Sequence, residues 1–278
     1  MKFAHATRFH PCYDPKAHFT FARIHLPVAA KCNIQCNYCK RDINKFERRP
    51  GVASCILTPK KALSLVEKAV ERHPELTVVG VAGPGDPLAN PETFETLRMV
   101  HERFPHLIKC LSTNGLLLAE KLPELLRYGL KAVTVTINAV KPSTAAKIYE
   151  YVLYGGLKLT GVEAARLLLS KQFEGVKAAA EAGLAVKVNT VLIPEINLAE
   201  VEGVAEKVAL LGAQKMNIIP LIPMYRFSGF RPPTCQELRE ARERCEKYIE
   251  QFRLCRACRA DACGIPGLER GSIMADFH

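Results

Sequence analysis

Eight residues, Cys32-Asn-Ile-Gln-Cys36-Asn-Tyr-Cys39, constrain this chain more than any other stretch. Three cysteines at spacings of four and three are close enough to wrap one soft metal centre. Three ligands are one fewer than a closed tetrahedral zinc site or a fully ligated cubane takes. A [4Fe–4S] cluster held this way keeps one iron open to a small chelating ligand. A structural zinc knuckle and buried unpaired thiols are the competing readings. No histidine or fourth cysteine follows nearby to close a zinc site.

Eleven cysteines with no basic, apolar leader ahead of them point to metal or redox use, not to a disulfide framework. No apolar run reaches membrane-spanning length, so the expectation is a soluble, cytoplasmic protein without a membrane partner. Lysine and arginine exceed aspartate and glutamate by 11, but they are spread along the chain. No aromatic-interleaved basic tract is visible, so nucleic acid is not expected as a partner. A solvated basic surface accounts for most of the excess, and some cations are available to hold anionic thiolate-ligated clusters.

With 278 residues, the chain is long enough for one large barrel or two modest domains. Six apolar segments read as strands: Ala22 to Ala29, Leu76 to Ala82, Leu107 to Leu111, Ala132 to Ile137, Val186 to Ile193, and Lys215 to Ile219. Helical patterns separate them. Thr58-Pro59 and Asn90-Pro91 have the cap-then-proline form of helix starts, and Thr234 to Glu237 has capping-box spacing. The last helix carries Leu238, Ala241, Cys245, Tyr248 and Phe252 on one face. Nearly continuous apolar strands alternating with helices imply a parallel sheet covered on both faces. The fold expected is a single α/β barrel, partial or closed, with six units read and eight as the full count. Residues 1–21 form an N-terminal arm, 22–232 the barrel, and 233–278 a C-terminal helix and cysteine-bearing segment whose last 20 residues read as a loose tail.

The cysteine triad leaves the C-terminal end of the first strand, where parallel α/β folds build their chemistry. The second strand ends in Gly83-Pro84-Gly85-Asp86, whose glycines permit close backbone approach and whose aspartate adds a carboxylate. Ser112, Asn114, Thr136, Asn138 and Asn189 fall at later strand ends. They suit ribose and carboxylate hydrogen bonding, or else cap helices and satisfy loop amides. Ile193 and the Leu221-Ile222 pair either flank an adenine or fill core, and Tyr38 either stacks or fills space. Cys255-x2-Cys258 is a second ligand pair that needs a partner, and Cys12, with His10 two residues before it, is a candidate. Cys110 points to the barrel mouth or serves as a core thiol. Cys245 reads as packing, Cys55 and Cys235 have weak claims, and Cys263 is either a ligand or an exposed tail thiol.

The Cys-x3-Cys-x2-Cys spacing with an aromatic before the last cysteine resembles the radical S-adenosylmethionine (SAM) enzymes. Five stretches together narrow this: His10-Pro11-Cys12, the triad, Glu47 to Val52, Val81 to Pro87, and Cys255 to Ala262. They resemble the radical SAM maturases that build the nitrogenase iron cofactor, over roughly residues 10–265.

The resemblance implies one SAM-cleaving [4Fe–4S] cluster on Cys32, Cys36 and Cys39, with SAM chelating its open iron. The glycine edge from Gly83 to Asp86 then meets the SAM amino group, and the Tyr38 backbone meets the adenine. Two further [4Fe–4S] clusters are substrates, fused with a SAM-derived carbide and one sulfur into an Fe8S9C precursor. Cys255, Cys258 and Cys12 hold one, and His10 and Cys110 help hold the other. Glu47 is a candidate for proton transfer or transient ligation, or else forms a salt bridge to Arg48 or Arg49. The implied partners are cluster donors, an electron donor, and a carrier or scaffold that receives the product.

Two departures stand out. Many relatives carry a cysteine in the stretch that here reads Asp42-Ile-Asn44-Lys45, a loss Cys55 could offset. The chain also lacks the small C-terminal cofactor-binding domain of longer relatives, so a separate protein is expected to take the product. A radical SAM enzyme with an auxiliary cluster and an organic substrate is one rival. A non-catalytic iron–sulfur carrier is the other.

Overall fold

The computed structural model describes residues 7–268, so residues 1–6 of the expected arm and 269–278 of the expected tail lie outside the described residues. Its strands are β1 (Ala22–His25), β2 (Ile34–Cys36), β3 (Asp42–Ile43), β4 (Val52–Ala53), β5 (Leu76–Val81), β6 (Ile108–Thr113), β7 (Leu130–Thr136), β8 (Tyr149–Tyr154), β9 (Leu157–Leu159), β10 (Ala185–Leu192), β11 (Lys215–Pro220), β12 (Glu250–Gln251) and β13 (Cys263–Gly264).

All six expected strands enter one eight-stranded sheet, ordered β12-β11-β10-β7-β6-β5-β1-β13. Every pairing from β1 to β12 is parallel, and β13 alone runs antiparallel, against β1. Among the described residues the sheet has two edges, so the α/β barrel is partial, not closed. Valine-rich β5 and β10 are buried almost throughout, as strands covered on both faces must be. The first strand ends earlier than its apolar run, at His25, because the chain bends toward the cysteine loop.

The helices start where the caps predict. Thr58 accepts from the Lys61 amide ahead of helix Pro59–Arg72, and Thr234 and Glu237 form both halves of a capping box ahead of helix Cys235–Glu246. Asn90 is different. It precedes helix Pro91–Arg103, but its side chain caps nothing and instead spans to the Lys31 backbone, accepting from N at 3.0 Å and donating to O at 2.8 Å.

The connection after β7 folds as helix Pro142–Ile148 and the β8–β9 hairpin, which pairs with β2. Two expectations need correction. The last helix stops at Glu246, leaving Tyr248 41 % exposed and Phe252 buried beyond it, so the two do not share its inner face. Residues 259–268 are not loose. Asp261 pairs with Arg259 at 2.8 Å and accepts from the Ser54 amide and hydroxyl, both at 2.6 Å, and β13 closes the edge of β1. Cys263 is thereby buried in the sheet edge and is not an exposed thiol. Cys245 packs in the core and donates to the Val201 carbonyl.

Candidate active site

The loop that leaves β1 is braced before it reaches its cysteines. The Gly85 amide donates to Ala29 O at 2.6 Å and the Asp86 amide donates to Lys31 O at 2.9 Å. A Cβ on Gly85 would stand 2.1 Å from Lys31 O, so only glycine lets the two backbones meet there. Gly83 adopts φ +120°, a conformation side chains disfavour. The glycine edge thus first serves the chain itself, by fixing Lys31 directly before Cys32.

Asp86 is buried and fully engaged. It accepts from the Leu88 amide at 2.9 Å, the Thr113 hydroxyl at 2.8 Å and the Asn114 amide at 2.6 Å. Burial pushes its carboxyl up, and those hydrogen bonds pull it back. The carboxylate is therefore a clasp between the ends of β5 and β6.

The three thiols open onto a pocket of about 150 Å³, shared with Tyr38, Arg41, Gly85, Asp86, Ser112, Asn114 and Thr136. β2 holds Cys36 opposite Tyr149 of the hairpin, and Gln35 donates to the carbonyls of Cys36 and Cys39, both at 2.9 Å. Asn114 donates to Asn33 Oδ1 at 2.6 Å and stands 3.8 Å from Cys32 Sγ. Burial drives all three thiols up. Cys32 reaches about 11 with help from Asp86, Cys36 rises well above its ordinary value with Cys39 and Cys32 adding to the effect of burial, and Cys39 rises despite Arg41. Thiols this reluctant to ionise become thiolates only against a metal cation.

The donor set fits a cubane with one open iron: three thiols, and no fourth side chain among the pocket's residues free to close it. Among the described residues no three His, Cys, Asp or Glu groups converge on a single ion. A cubane takes each thiolate on a different iron, so its ligands need not meet at one point. Ser112 and Thr136 present hydroxyls to the pocket with no protein partner among the described residues.

Other expected contact residues take different places. Asn138 is fully buried, and all its side-chain valences are used. It donates to Tyr38 Oη at 2.9 Å and Tyr149 Oη at 3.1 Å and accepts from the Val191 amide at 2.8 Å. It aims Tyr38 rather than facing a ligand. Asn189 accepts from Asn217, one strand over, and Ile193 is closed off in the core. Neither lines the mouth pocket, and nor does Gly83. Glu47 pairs with Arg49 at 2.8 Å and accepts from Asn44 at 2.8 Å, and Asn44 and then Arg49 hold its carboxyl below the usual range.

A second group of thiols lies in the barrel interior, apart from the mouth pocket. Register puts His25, Gly80, Cys110, Ala132 and Ala185 in one layer of the barrel interior. Such a layer is ordinarily filled by branched apolar residues. Here the side chains are small, and a Cβ on Gly80 would stand 2.8 Å from Cys110 Sγ. The N-terminal arm inserts Tyr13 into the space. Its hydroxyl donates to Val133 O at 2.8 Å and lies 3.0 Å from Ala185 O.

Cys12 and Cys110 pack against that tyrosine, and His10 meets its ring edge at 4.7 Å. The Cys12 amide donates to His10 Nδ1 at 3.1 Å, while Nε2 is buried without a partner among the described residues. From the other end of the chain, Cys258 accepts from Arg23 at 3.4 Å. Burial raises the Cys12 thiol, with Cys258 and Cys255 adding to the rise, and pushes Cys110 up to about 12. Cys255 is exposed, as are Cys55 and Cys235.

Sequence reasoning passed over Arg23, His25 and Lys187, three charged or titratable residues that face this interior. The available signal was their place within otherwise apolar strands, where a polar residue is out of pattern unless it has a use.

A partial α/β barrel with an open thiol triad at its mouth defines a radical SAM enzyme, and residues 26–208 match the radical SAM superfamily. The chain belongs to that superfamily, whose members work with a [4Fe–4S] cluster and SAM. Within it the chain belongs to the NifB family. It is 48 % identical to the FeMo cofactor biosynthesis protein NifB of Methanocaldococcus jannaschii, over 99 % of this chain and 92 % of that one. It is 41 % identical to the NifB of Azotobacter vinelandii, over 94 % of this chain but 54 % of that longer protein.

Solved structures agree on the fold. A radical SAM methyltransferase from Sphaerobacter thermophilus superposes with a TM-score of 0.58 at 19 % identity, covering 82 % of this chain and 64 % of that one. SuiB of Streptococcus suis superposes with a TM-score of 0.61 at 12 % identity, covering 84 % and 50 %. Among the described residues no helix is long and apolar enough to cross a membrane.

Proposed function

We propose that this chain is the maturase that fuses two [4Fe–4S] substrate clusters, with a SAM-derived carbide and one added sulfur, into the Fe8S9C precursor of the nitrogenase cofactor. Two Fe4S4 cubes contribute eight irons and eight sulfides, one sulfur is added, and a methyl group from SAM supplies the carbon, releasing S-adenosylhomocysteine; one methyl hydrogen goes to the 5′-deoxyadenosyl radical as 5′-deoxyadenosine and the other two leave as protons. The observation that carries the reading is the presence of two separate thiol groups in one barrel, in a chain half identical to a FeMo cofactor biosynthesis protein.

When bound at Cys32, Cys36 and Cys39, the resident cluster supplies the electron that cleaves SAM to a 5′-deoxyadenosyl radical. The chain's own residues divide the remaining work. Gln35, Asn114 and the β8–β9 hairpin fix the triad, and Asp86 fixes the strand ends around it. Ser112 and Thr136 offer hydroxyls to the polar end of SAM. Cys12, Cys110, Cys258, Cys255 and His10 hold substrate clusters, and their mixed ligation from two chain arms suits cargo that has to leave. Glu47 serves in proton transfer or transient ligation once Arg49 releases it. Cluster donors, an electron donor and an accepting scaffold are the partners this activity requires, in a cytoplasmic setting.

Anaerobic reconstitution with iron and sulfide, followed by dithionite and SAM, tests the reading. Both 5′-deoxyadenosine and S-adenosylhomocysteine should form, with iron near twelve per chain at full loading, roughly four per cubane. 5′-Deoxyadenosine without S-adenosylhomocysteine would indicate a different radical SAM enzyme. No SAM product at all would indicate a carrier.

A further inference from the structure

Lys187 is an anomaly of the barrel interior. It lies in the third position of β10 and is 4 % exposed. Its Nζ donates to Cys12 O at 3.1 Å and stands 5.2 Å from the ring centres of both Tyr13 and Phe252. No carboxylate pairs with it among the described residues. The Asp261 carboxylate is taken by Arg259 and Ser54. The other titratable and charged groups around it are Arg23, His10, His18, His25, Cys12 and Cys110, and among the described residues no carboxylate reaches Lys187. Burying an ammonium without a counter-ion is costly, and a chain keeps such a group where an anion arrives to meet it.

The anion the surroundings would recognise is a polynuclear cluster carried on thiolates. The small layer of Gly80, Ala132 and Ala185 sets Cys110 beside Tyr13 and Cys12. Cys12 hangs its carbonyl on Lys187, and Cys258 lies on Arg23. We propose that Lys187, with Arg23, is the counter-charge that seats an anionic iron–sulfur substrate between Cys12, Cys110 and Cys258. This rests on the reading of that thiol group as a substrate-cluster site. An ammonium attracts without forming a coordinate bond, so it retains the cluster and still lets it depart. Lys187 is a positioning residue: it acts on the charge of the cluster and supplies no ligand.

The test uses the full chain as Lys187→Met, which keeps length and removes charge, and as Lys187→Arg, which keeps charge. Wild type and variants are reconstituted with iron and sulfide, desalted, and challenged with an iron chelator, and melting is followed in metal-free and loaded protein. Lys187→Met should keep the SAM-cleaving cluster, cleave SAM, and release the remaining iron about tenfold faster or more than wild type. In metal-free protein it should melt no lower than wild type, since an uncompensated buried charge is gone, while loading should raise its melting point less. Lys187→Arg should restore slow release. Equal release from Met and wild type would overturn the inference. So would a lower melting point of metal-free Lys187→Met, loss of its SAM-cleaving cluster, or an arginine variant that behaves like the methionine one. If wild type itself retains only about four irons per chain, the substrate-cluster reading fails first, and the result is told apart by needing no variant.

Discussion

The triad at the mouth and the thiols in the interior are held by opposite means. Cys32, Cys36 and Cys39 come from one eight-residue loop, clasped by Asp86, Gln35, Asn114 and the hairpin. Cys12 and Cys258 come from opposite ends of the chain and meet only because Tyr13 plugs the barrel and β13 joins β1. A resident cofactor needs a site that survives each turnover, and local ligands on a braced loop provide it. Under the proposed function, cargo needs a site that can let go, and ligands on separate arms would provide that. The contrast teaches that retention here is set by how the ligands are tethered, as well as by what they are.

The contrast can be broken most directly at the cysteines. Cys32→Ala should abolish SAM cleavage, whereas Cys258→Ala should keep uncoupled cleavage and lose fusion, as read by 5′-deoxyadenosine and by the eight-iron product. If both variants cleave SAM like wild type, the division of labour between the two groups is wrong.

Asp86→Ala probes the clasp at the mouth. It strands the Leu88 and Asn114 amides and the Thr113 hydroxyl, and each buried orphan costs about 1–3 kcal/mol. A loss of about 3 kcal/mol or more in denaturant unfolding is expected. A loss below about 1 kcal/mol would mean the mouth does not depend on it.

Acid should act on the interior and spare the mouth. His25 is buried and held down to about 4, by burial first and then by Arg23. Its unfolded value is near 6.5, so between about pH 6.5 and 4 the unfolded chain binds a proton that the folded chain refuses. Stability of metal-free protein should therefore fall as pH drops through that window, by about 2 kcal/mol between pH 6.5 and 5 from His25 alone. Burial lowers His10 and His18 as well, which steepens the same trend. The His25→Gln variant should show a shallower slope, and an unchanged slope would remove His25 from the account.

The smallest effect is expected at the plug. Tyr13→Phe removes a hydroxyl that reaches two strand carbonyls and should cost about 1 kcal/mol. Its sharper signature is faster proteolysis of the N-terminal arm with SAM cleavage unchanged. Cleavage falling in parallel would show the two regions to be coupled.

Much of this was legible in the chain. Apolar runs fixed six strands, cap residues fixed two helix starts and the proline of Asn90-Pro91 a third, and the cysteine spacing fixed the mouth, because each is a local pattern with a local cause. The β8–β9 hairpin also had a local signal. Gly155 and Gly156 both take positive φ, 58° and 79°, as a type I′ turn requires, and the flanking tyrosines and leucines alternate. The small interior layer carried no such signal, since Gly80, Cys110, Ala132 and Ala185 become neighbours only once four strands are in register. The same holds for Asn90, Asn138 and Gly85. Each looked like a cap or a ligand contact, and each turned out to tie together segments remote in sequence. The two-residue β13 is too short for any period, so the segment around it read as loose.

The antiparallel pairing of Cys263–Gly264 with β1 also fixes an order of events in the life of a molecule. A ribosome releases the mouth loop and the β8–β9 hairpin that braces it well before it reaches Cys258, so the triad can be assembled while the last third of the chain is still unmade. The interior site waits for synthesis to finish and for the two ends to find each other. Under the proposed function, a substrate cluster would therefore have nowhere to settle until the machinery that works on it is in place.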